Sequence, residues 1–346
     1  MAETATATKL TTEQVVTEVL ATIDRERERE IVARRFGLFD RKETLEQIGE
    51  MLGITRERVR QLEKSVVAKL KASAEQGSVP HVKEFETKVL ALLGDSGDAA
   101  RVSELTKMLD TDAIREEQAR VAFLSQLCPK LVVIPEDDNF YNSVAVRSVF
   151  DDKKLKSKVV ALIATIKELG EPKTIAQIAK AASIEDAQQA GALASTSKKL
   201  ATLNNRWGLI KWPMVNPKNI RDKIYVILKE NGKHMHFNEI SEAIKDSDFK
   251  RKDVTTQAIH NELIKDKRFV LIGRGIYALK EWGYEKGTVA DIITDVLKDA
   301  NEPLHRDEIV KRVLKSRFVK ETTILLNLQG KPQFKRVAKA TYALAE

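Results

Sequence analysis

Residues Thr44–Lys64 read TLEQIGEMLGITRERVRQLEK, and two short helices joined by a tight turn account for the whole pattern. Thr44 stands three residues before Gln47, the spacing at which two side chains cap a helix start reciprocally. Leu45, Ile48 and Leu52 share one face of the first helix. Gly49 is the small residue where two helices cross, and Gly53 supplies the positive φ that the turn requires. Ile54 plugs the core and Thr55 caps the second helix. Val59, Leu62 and Val66 recur at i, i+3 and i+7 as inward positions. The pattern predicts a helix-turn-helix, with the second helix packed steeply on the first. An amphipathic helical hairpin with a charged face would share this periodicity but would need neither both glycines nor both caps.

The outer face of the second helix carries Arg56, Glu57, Arg60 and Gln61 near its N-terminal end, which is the end that enters the major groove in this motif. Arg binds guanine bidentately, Glu accepts from cytosine and Gln pairs with adenine. These four are the candidate base-reading residues.

Upstream, Thr11 and Gln14 repeat the capping spacing before a helix through Val15, Val16, Val19 and Leu20. A second helix starts near Asp24 and carries the alternating charges Arg25–Glu30, a solvated face with internal ion pairs, before Ile31 and Val32. Residues Ala72–Pro80 (ASAEQGSVP) are small and polar and read as a linker.

Beyond the linker the sequence repeats. Lys167, Lys229 and Lys298 are followed three residues later by Gly170, Gly232 and Asn301, and then eight residues later by Ile178, Ile240 and Ile309. An apolar helix, a turn and a second amphipathic helix recur each time. Val270–Ile272 and Ile276–Leu279 flank Gly273-Arg274-Gly275, a hairpin with a glycine-bearing tip. Phe269/Phe334, Tyr277/Tyr342 and Leu279/Leu344 share one offset. Looser copies place strands at Leu131–Ile134 and Phe140–Val144, and at Trp207–Pro213. Three helices followed by a hairpin is the plan of a winged helix. The expected fold is therefore mainly α: a helix-turn-helix domain followed by tandem winged-helix units. The expected boundaries are 1–75, 81–149, 152–214, 217–282 and 285–346. Units this small are marginal alone, so contacts between them are expected.

Composition agrees and excludes much. The chain has 346 residues, 42% hydrophobic and 32% charged, with a formal charge of +8. No apolar run approaches the ~20 residues that span a bilayer, and the N-terminus lacks the pattern of a signal peptide. The single cysteine, Cys128, excludes an intramolecular disulfide framework and fits a reducing cytoplasm. At 5% aromatic residues, single-strand stacking platforms are disfavoured. His81, His234, His236, His260 and His305 show no metal-ligand spacing and read as surface or capping residues. Asp137-Asp138 reads as a turn, and no phosphate loop or nucleophile elbow occurs. No enzyme activity, cofactor, metal, small-molecule substrate or membrane partner is expected.

The charge is unevenly placed. Val310–Ala340 holds nine basic residues, Lys311, Arg312, Lys315, Arg317, Lys320, Lys331, Lys335, Arg336 and Lys339, against the lone acid Glu321. That excess equals the charge of the whole chain. The segment covers the second helix, third helix and first wing strand of the last unit, elements that meet DNA phosphates in winged helices. A solvated basic surface and an acidic protein partner are the competing readings.

The stretch Ile31–Leu70 (IVARRFGLFDRKETLEQIGEMLGITRERVRQLEKSVVAKL) closely resembles region four of primary bacterial sigma factors. That family's domain reads the −35 promoter element and docks on the flap of RNA polymerase. The resemblance places its base contacts on Arg56, Glu57, Arg60 and Gln61, and its phosphate contacts on Arg35 and Thr44. It covers about the first fifth of the chain, so a complete sigma factor that opens promoters alone is not expected. Residues 217–282, with FNEISEAI, RFVLIGRGIYAL and KEWGY, resemble a HARE-type winged helix. That family includes the N-terminal domain of the RNA polymerase delta subunit, and its relatives accompany DNA-modifying and chromatin proteins. The last unit resembles it through HRDEIVKRVL and QFKRVAKATYALAE.

These readings converge on a cytoplasmic, nucleoid-associated transcription regulator. Its expected partners are double-stranded promoter DNA and core RNA polymerase. A polymerase-binding adaptor with little DNA reading, and the targeting subunit of a DNA-modifying system, are the alternatives.

Overall fold

The computed structural model describes residues 11–109 and 114–345. The chain divides into two compact units, Met1–Ile210 and Lys211–Glu346. Mostly helical structure is joined by small antiparallel sheets in both.

The first unit opens with α1 (Thr12–Ala21), α2 (Glu26–Phe36), α3 (Leu45–Leu52) and α4 (Arg56–Glu75). Thr11 and Gln14 form the capping box in both directions. Helix α2 ends at Gly37, whose φ of 70° lets the chain reverse. A Cβ there would also stand 2.9 Å from the Lys42 amide. Helix α4 continues to Glu75, through half of the stretch expected to be a linker. The reason is burial: Val66 and Leu70 of α4, and Val79 beyond it, belong to one core and need a fixed backbone.

The unit continues with α5 (Val82–Gly94), β1 (Ala99–Arg101), α6 (Val102–Met108), α7 (Arg115–Leu127), β2 (Leu131–Ile134) and β3 (Ser143–Val146). It closes with α8 (Asp152–Leu169), β4 (Lys173–Thr174), α9 (Ile175–Ala181), α10 (Ala187–Thr196), β5 (Leu200–Leu203) and β6 (Arg206–Leu209). The second unit holds α11 (Ile220–Asn231), β7 (Met235–His236), α12 (Phe237–Asp246), α13 (Thr256–Lys265), β8 (Phe269–Gly273) and β9 (Ile276–Leu279). It then repeats that order as α14 (Val289–Ala300), β10 (Leu304–His305), α15 (Arg306–Ser316), α16 (Glu321–Gly330), β11 (Phe334–Ala338) and β12 (Thr341–Leu344).

The order helix, strand, helix, helix, strand, strand thus occurs four times. In each three-stranded sheet the last strand is central: β1-β3-β2, β4-β6-β5, β7-β9-β8 and β10-β12-β11. The equivalences seen in the sequence have local causes. Gly170, Gly232 and Asn301 end their helices in the left-handed region at φ 71°, 69° and 51°. Ile178, Ile240 and Ile309 are fully buried. The short strand before each second helix was not expected, because two or three residues carry no period-two signal. Strand β3 starts at Ser143 rather than Phe140, since Phe140 bridges to Ser197 of the following repeat. The hairpin expected at Trp207–Pro213 forms earlier, over Leu200–Leu209.

One continuous core runs from α1 to β3. Val15, Val16 and Val19 of α1 meet Val32 and Leu38, and Val121, Phe123 and Leu124 of α7. Phe123 is fully buried with its ring 5.0 Å from Phe36. Truncating a side chain so placed costs about 3–5 kcal/mol. Arg120 of α7, 6% exposed, donates to the Leu38 carbonyl at 2.8 Å and pairs with Glu117 and Glu13. Helix α10 packs in turn against the preceding repeat, where the Tyr141 amide donates to the Thr196 carbonyl at 2.9 Å and Arg101 donates to the Ser195 carbonyl. Gly97 permits this approach, because a Cβ there would lie 2.6 Å from the Gln188 backbone.

Candidate nucleic-acid interface

Helices α3 and α4 form the site. A Cβ on Gly49 would meet the Ile54 carbonyl at 2.7 Å, so the crossing requires its absence. Gly53 adopts φ 63° with open space around it, so its requirement is conformational, not steric. Thr44 and Gln47 complete a capping box on α3, and the Thr55 hydroxyl accepts from the Arg58 amide at 3.2 Å. Beneath the turn, Ile31, Ile48 and Val59 make a separate small core with Leu45, Leu52, Ile54 and Leu62 around it.

This packing leaves the start of α4 facing solvent. Arg56, Glu57, Arg60 and Gln61 are all exposed and lie within the first two turns. Arg60 grips Glu57 through Nε at 2.8 Å and one terminal nitrogen at 2.7 Å, and Gln61 donates to Glu57 at 3.3 Å. The Arg60 hydrogen bonds hold the Glu57 carboxyl far below its ordinary range, at about 2. Glu57, Arg60 and Gln61 are therefore tied together, Arg56 leaves the quartet one positive charge in excess, and donors and acceptors share one small area.

The two expected phosphate contacts differ in burial. Thr44 is exposed at the N-terminus of α3, where the helix dipole favours an anion. Arg35 is partly buried, pairs with Glu63 of α4 at 3.2 Å and donates to the Glu43 carbonyl at 3.3 Å. It therefore clasps α2 to α4 and to the residue before Thr44. Arg120 was missed by sequence reasoning although it fixes the end of the α2 turn. Its partner is a backbone carbonyl 82 positions away, which no local pattern encodes.

The C-terminal basic residues do not form one uniform set. Lys311 and Lys315 are exposed on α15, and Lys335 and Arg336 project from β11, with Lys331 and Lys339 exposed nearby in sequence. Arg312 is paired with Glu308 at 2.7 Å. Lys320 and Lys331 flank α16, which itself carries no basic residue. Arg317 departs from the expectation. It is 5% exposed, and its terminal nitrogens donate to the carbonyls of Leu271 and Gly287. A guanidinium buried on two carbonyls cannot serve as a surface phosphate contact.

Two histidines cap helices: His236 and His305 accept from the amides of Asn238 and Asp307 at the starts of α12 and α15. No group of metal-ligating side chains occurs among the described residues. No helix among them is long and apolar enough to cross a membrane. Cys128 is buried at the end of α7.

Comparison with known proteins places a family on this site. Residues 25–72 match the model for Sigma-70, region 4. The stretch is similar to RNA polymerase sigma factor sigB of Arabidopsis thaliana, 54% identical over 46 residues, covering 13% of this chain and 8% of that protein. RNA polymerase sigma factor RpoD of Helicobacter pylori strain ATCC 700392 / 26695 is 51% identical over 49 residues, covering 14% of this chain and 7% of that protein. RpoD of strain J99 matches to the same extent. The chain thus spans less than a tenth of the length of these relatives. Region 4 is a DNA-binding helix-turn-helix that recognises the −35 element, and it is not a catalytic domain.

Proposed function

We propose that the chain is a bacterial DNA-binding transcription regulator that reads a −35-type promoter element through α4. The carrying observation is the exposed quartet Arg56, Glu57, Arg60 and Gln61 at the start of a helix whose other face is locked into a helix-turn-helix. Arg35 and Thr44 position the phosphate backbone. The four repeats are winged-helix units at 81–149, 152–214, 217–282 and 285–346, the last two of HARE type. Lys311, Lys315, Lys331, Lys335, Arg336 and Lys339 add sequence-independent attraction to DNA. Core RNA polymerase is the protein partner, and the protein works in the nucleoid.

Binding to duplexes with and without a −35-type element tests this reading. Each good bidentate base contact discriminates by about 1–3 kcal/mol, so Arg56→Ala with Arg60→Ala removes roughly tenfold or more of the preference. Retained selectivity in that variant refutes the assignment. Polymerase co-purification without any DNA selectivity in the native protein favours the adaptor reading.

A further inference from the structure

A groove of about 970 Å³ lies between the β8–β9 hairpin and the start of α16, within the unit Lys211–Glu346. Leu271, Val289 and Phe318 give it apolar walls. Arg274, Arg317 and Lys320 are its charged groups, and no carboxylate lines it. Leu271 and Phe318 remain 48% and 53% exposed, large apolar surfaces left facing water. They are not loose. The Phe318 amide donates to the Ile272 carbonyl at 3.0 Å, and its ring packs 4.4 Å from that of His234.

Lys320, the residue before the ten-residue helix α16, makes no side-chain capping bond, and Glu321 in the first turn is the acid that meets the helix dipole. The Nε of Arg317 is buried and has no acceptor, although the side chain is held by two carbonyls. Asp291, the carboxylate whose field reaches Arg317, is itself held by Thr288 at 2.7 and 2.8 Å. Arg317 thus keeps its positive charge buried beneath the groove, while Arg274 and Lys320 are the exposed cations at its rim.

We propose that this groove binds an acidic amphipathic peptide segment of a partner protein. Its apolar side chains lie on Leu271, Val289 and Phe318. Its carboxylates face Arg274 and Lys320. Duplex DNA is the poorer occupant, because a sugar-phosphate backbone is met by polar contacts and would leave the apolar walls unsatisfied. An amphipathic acidic segment matches both the walls and the charge. This site does not rest on the promoter-reading function of α4.

The test is fluorescence anisotropy of the full chain with a labelled acidic peptide, EDLFELL, and its basic counterpart KKLFKLL. The acidic peptide binds saturably and weakens with salt. Reversal of two rim charges, Arg274→Glu with Lys320→Glu, weakens it about tenfold or more. Phe318→Ala weakens it through the apolar wall, and circular dichroism checks that each variant is folded. Arg56→Ala with Arg60→Ala leaves peptide binding unchanged, which separates this proposal from the DNA-reading one. Absence of saturable binding at millimolar peptide, equal binding of the two peptides, or indifference to the charge reversal overturns it. Displacement of the peptide by a short random-sequence duplex also overturns it and reassigns the groove to nucleic acid.

Discussion

Arg120→Met tests whether the helix-turn-helix is built into the first repeat. Arg120 has a side chain only 7% exposed and joins α7 to two distant points, the Leu38 carbonyl and Glu13. The exposed Glu13 contributes little, because surface pairs are worth about 0–1 kcal/mol. Glu117 matters more, being 12% exposed and facing the guanidinium. Removing one partner of a buried pair costs about 3–5 kcal/mol, since the remaining charge is left without compensation. The orphaned Leu38 carbonyl belongs to the same loss. Methionine keeps most of the volume, so a cavity adds little. For a unit near 200 residues, each kcal/mol moves Tm by about 2–4 °C, which gives a fall of roughly 6–20 °C. Thermal unfolding followed by circular dichroism measures it, with hydrogen exchange assigning the loss to α1, α2 and α7. A fall below about 2 °C refutes the view that Arg120 joins the two parts and that they share one core.

Other outcomes follow from the same geometry. Gly49→Val drives a side chain against the Ile54 carbonyl, so the crossing opens at a cost of about 1–3 kcal/mol and DNA selectivity falls, as urea unfolding and gel shifts would show. An NMR titration is expected to find the Glu57 carboxyl lowered to about 2, and Arg60→Ala to return it toward 4.5. Because the folded value is depressed, the pair's contribution is present above the ordinary carboxylate range and is lost as pH falls through about 2. Reversing Lys311, Lys315 and Lys335 reduces the salt dependence of DNA binding, by about 0.9 in log–log slope for each phosphate contact removed. An unchanged slope dismisses the patch. In hydrogen exchange of the full chain, amides of α7 and α10 are protected without DNA and unchanged by it, whereas the start of α4 gains protection. Fresh protection in α7 or α10 would place DNA on those helices.

The helix-turn-helix was legible because its requirements are local. A cap and its partner lie three residues apart, a crossing glycine and a turn glycine lie four apart, and the inward positions follow the helical period. The same holds for the repeat, whose turns need Gly or Asn at φ near 50–70° in Gly170, Gly232 and Asn301. The exposed quartet on α4 follows too, since burial of Val59 and Val66 leaves only the opposite face.

Contacts between distant segments were not legible. The nine basic residues looked equivalent as a charge count, yet Arg317 is a buried clasp on Leu271 and Gly287 while Lys335 is open to water. A formal charge says nothing about which carbonyls lie within reach. Contacts between the small units were expected from their size, but only the packing shows that α7 meets α1 and α4 and that α10 meets β1. Sequence determined the local elements and the chemistry offered on α4, because short-range spacing sets both. Tertiary structure decided which charges remain available, which helices are already covered and where an apolar groove with a basic rim is left open, because those depend on residues brought together from far along the chain.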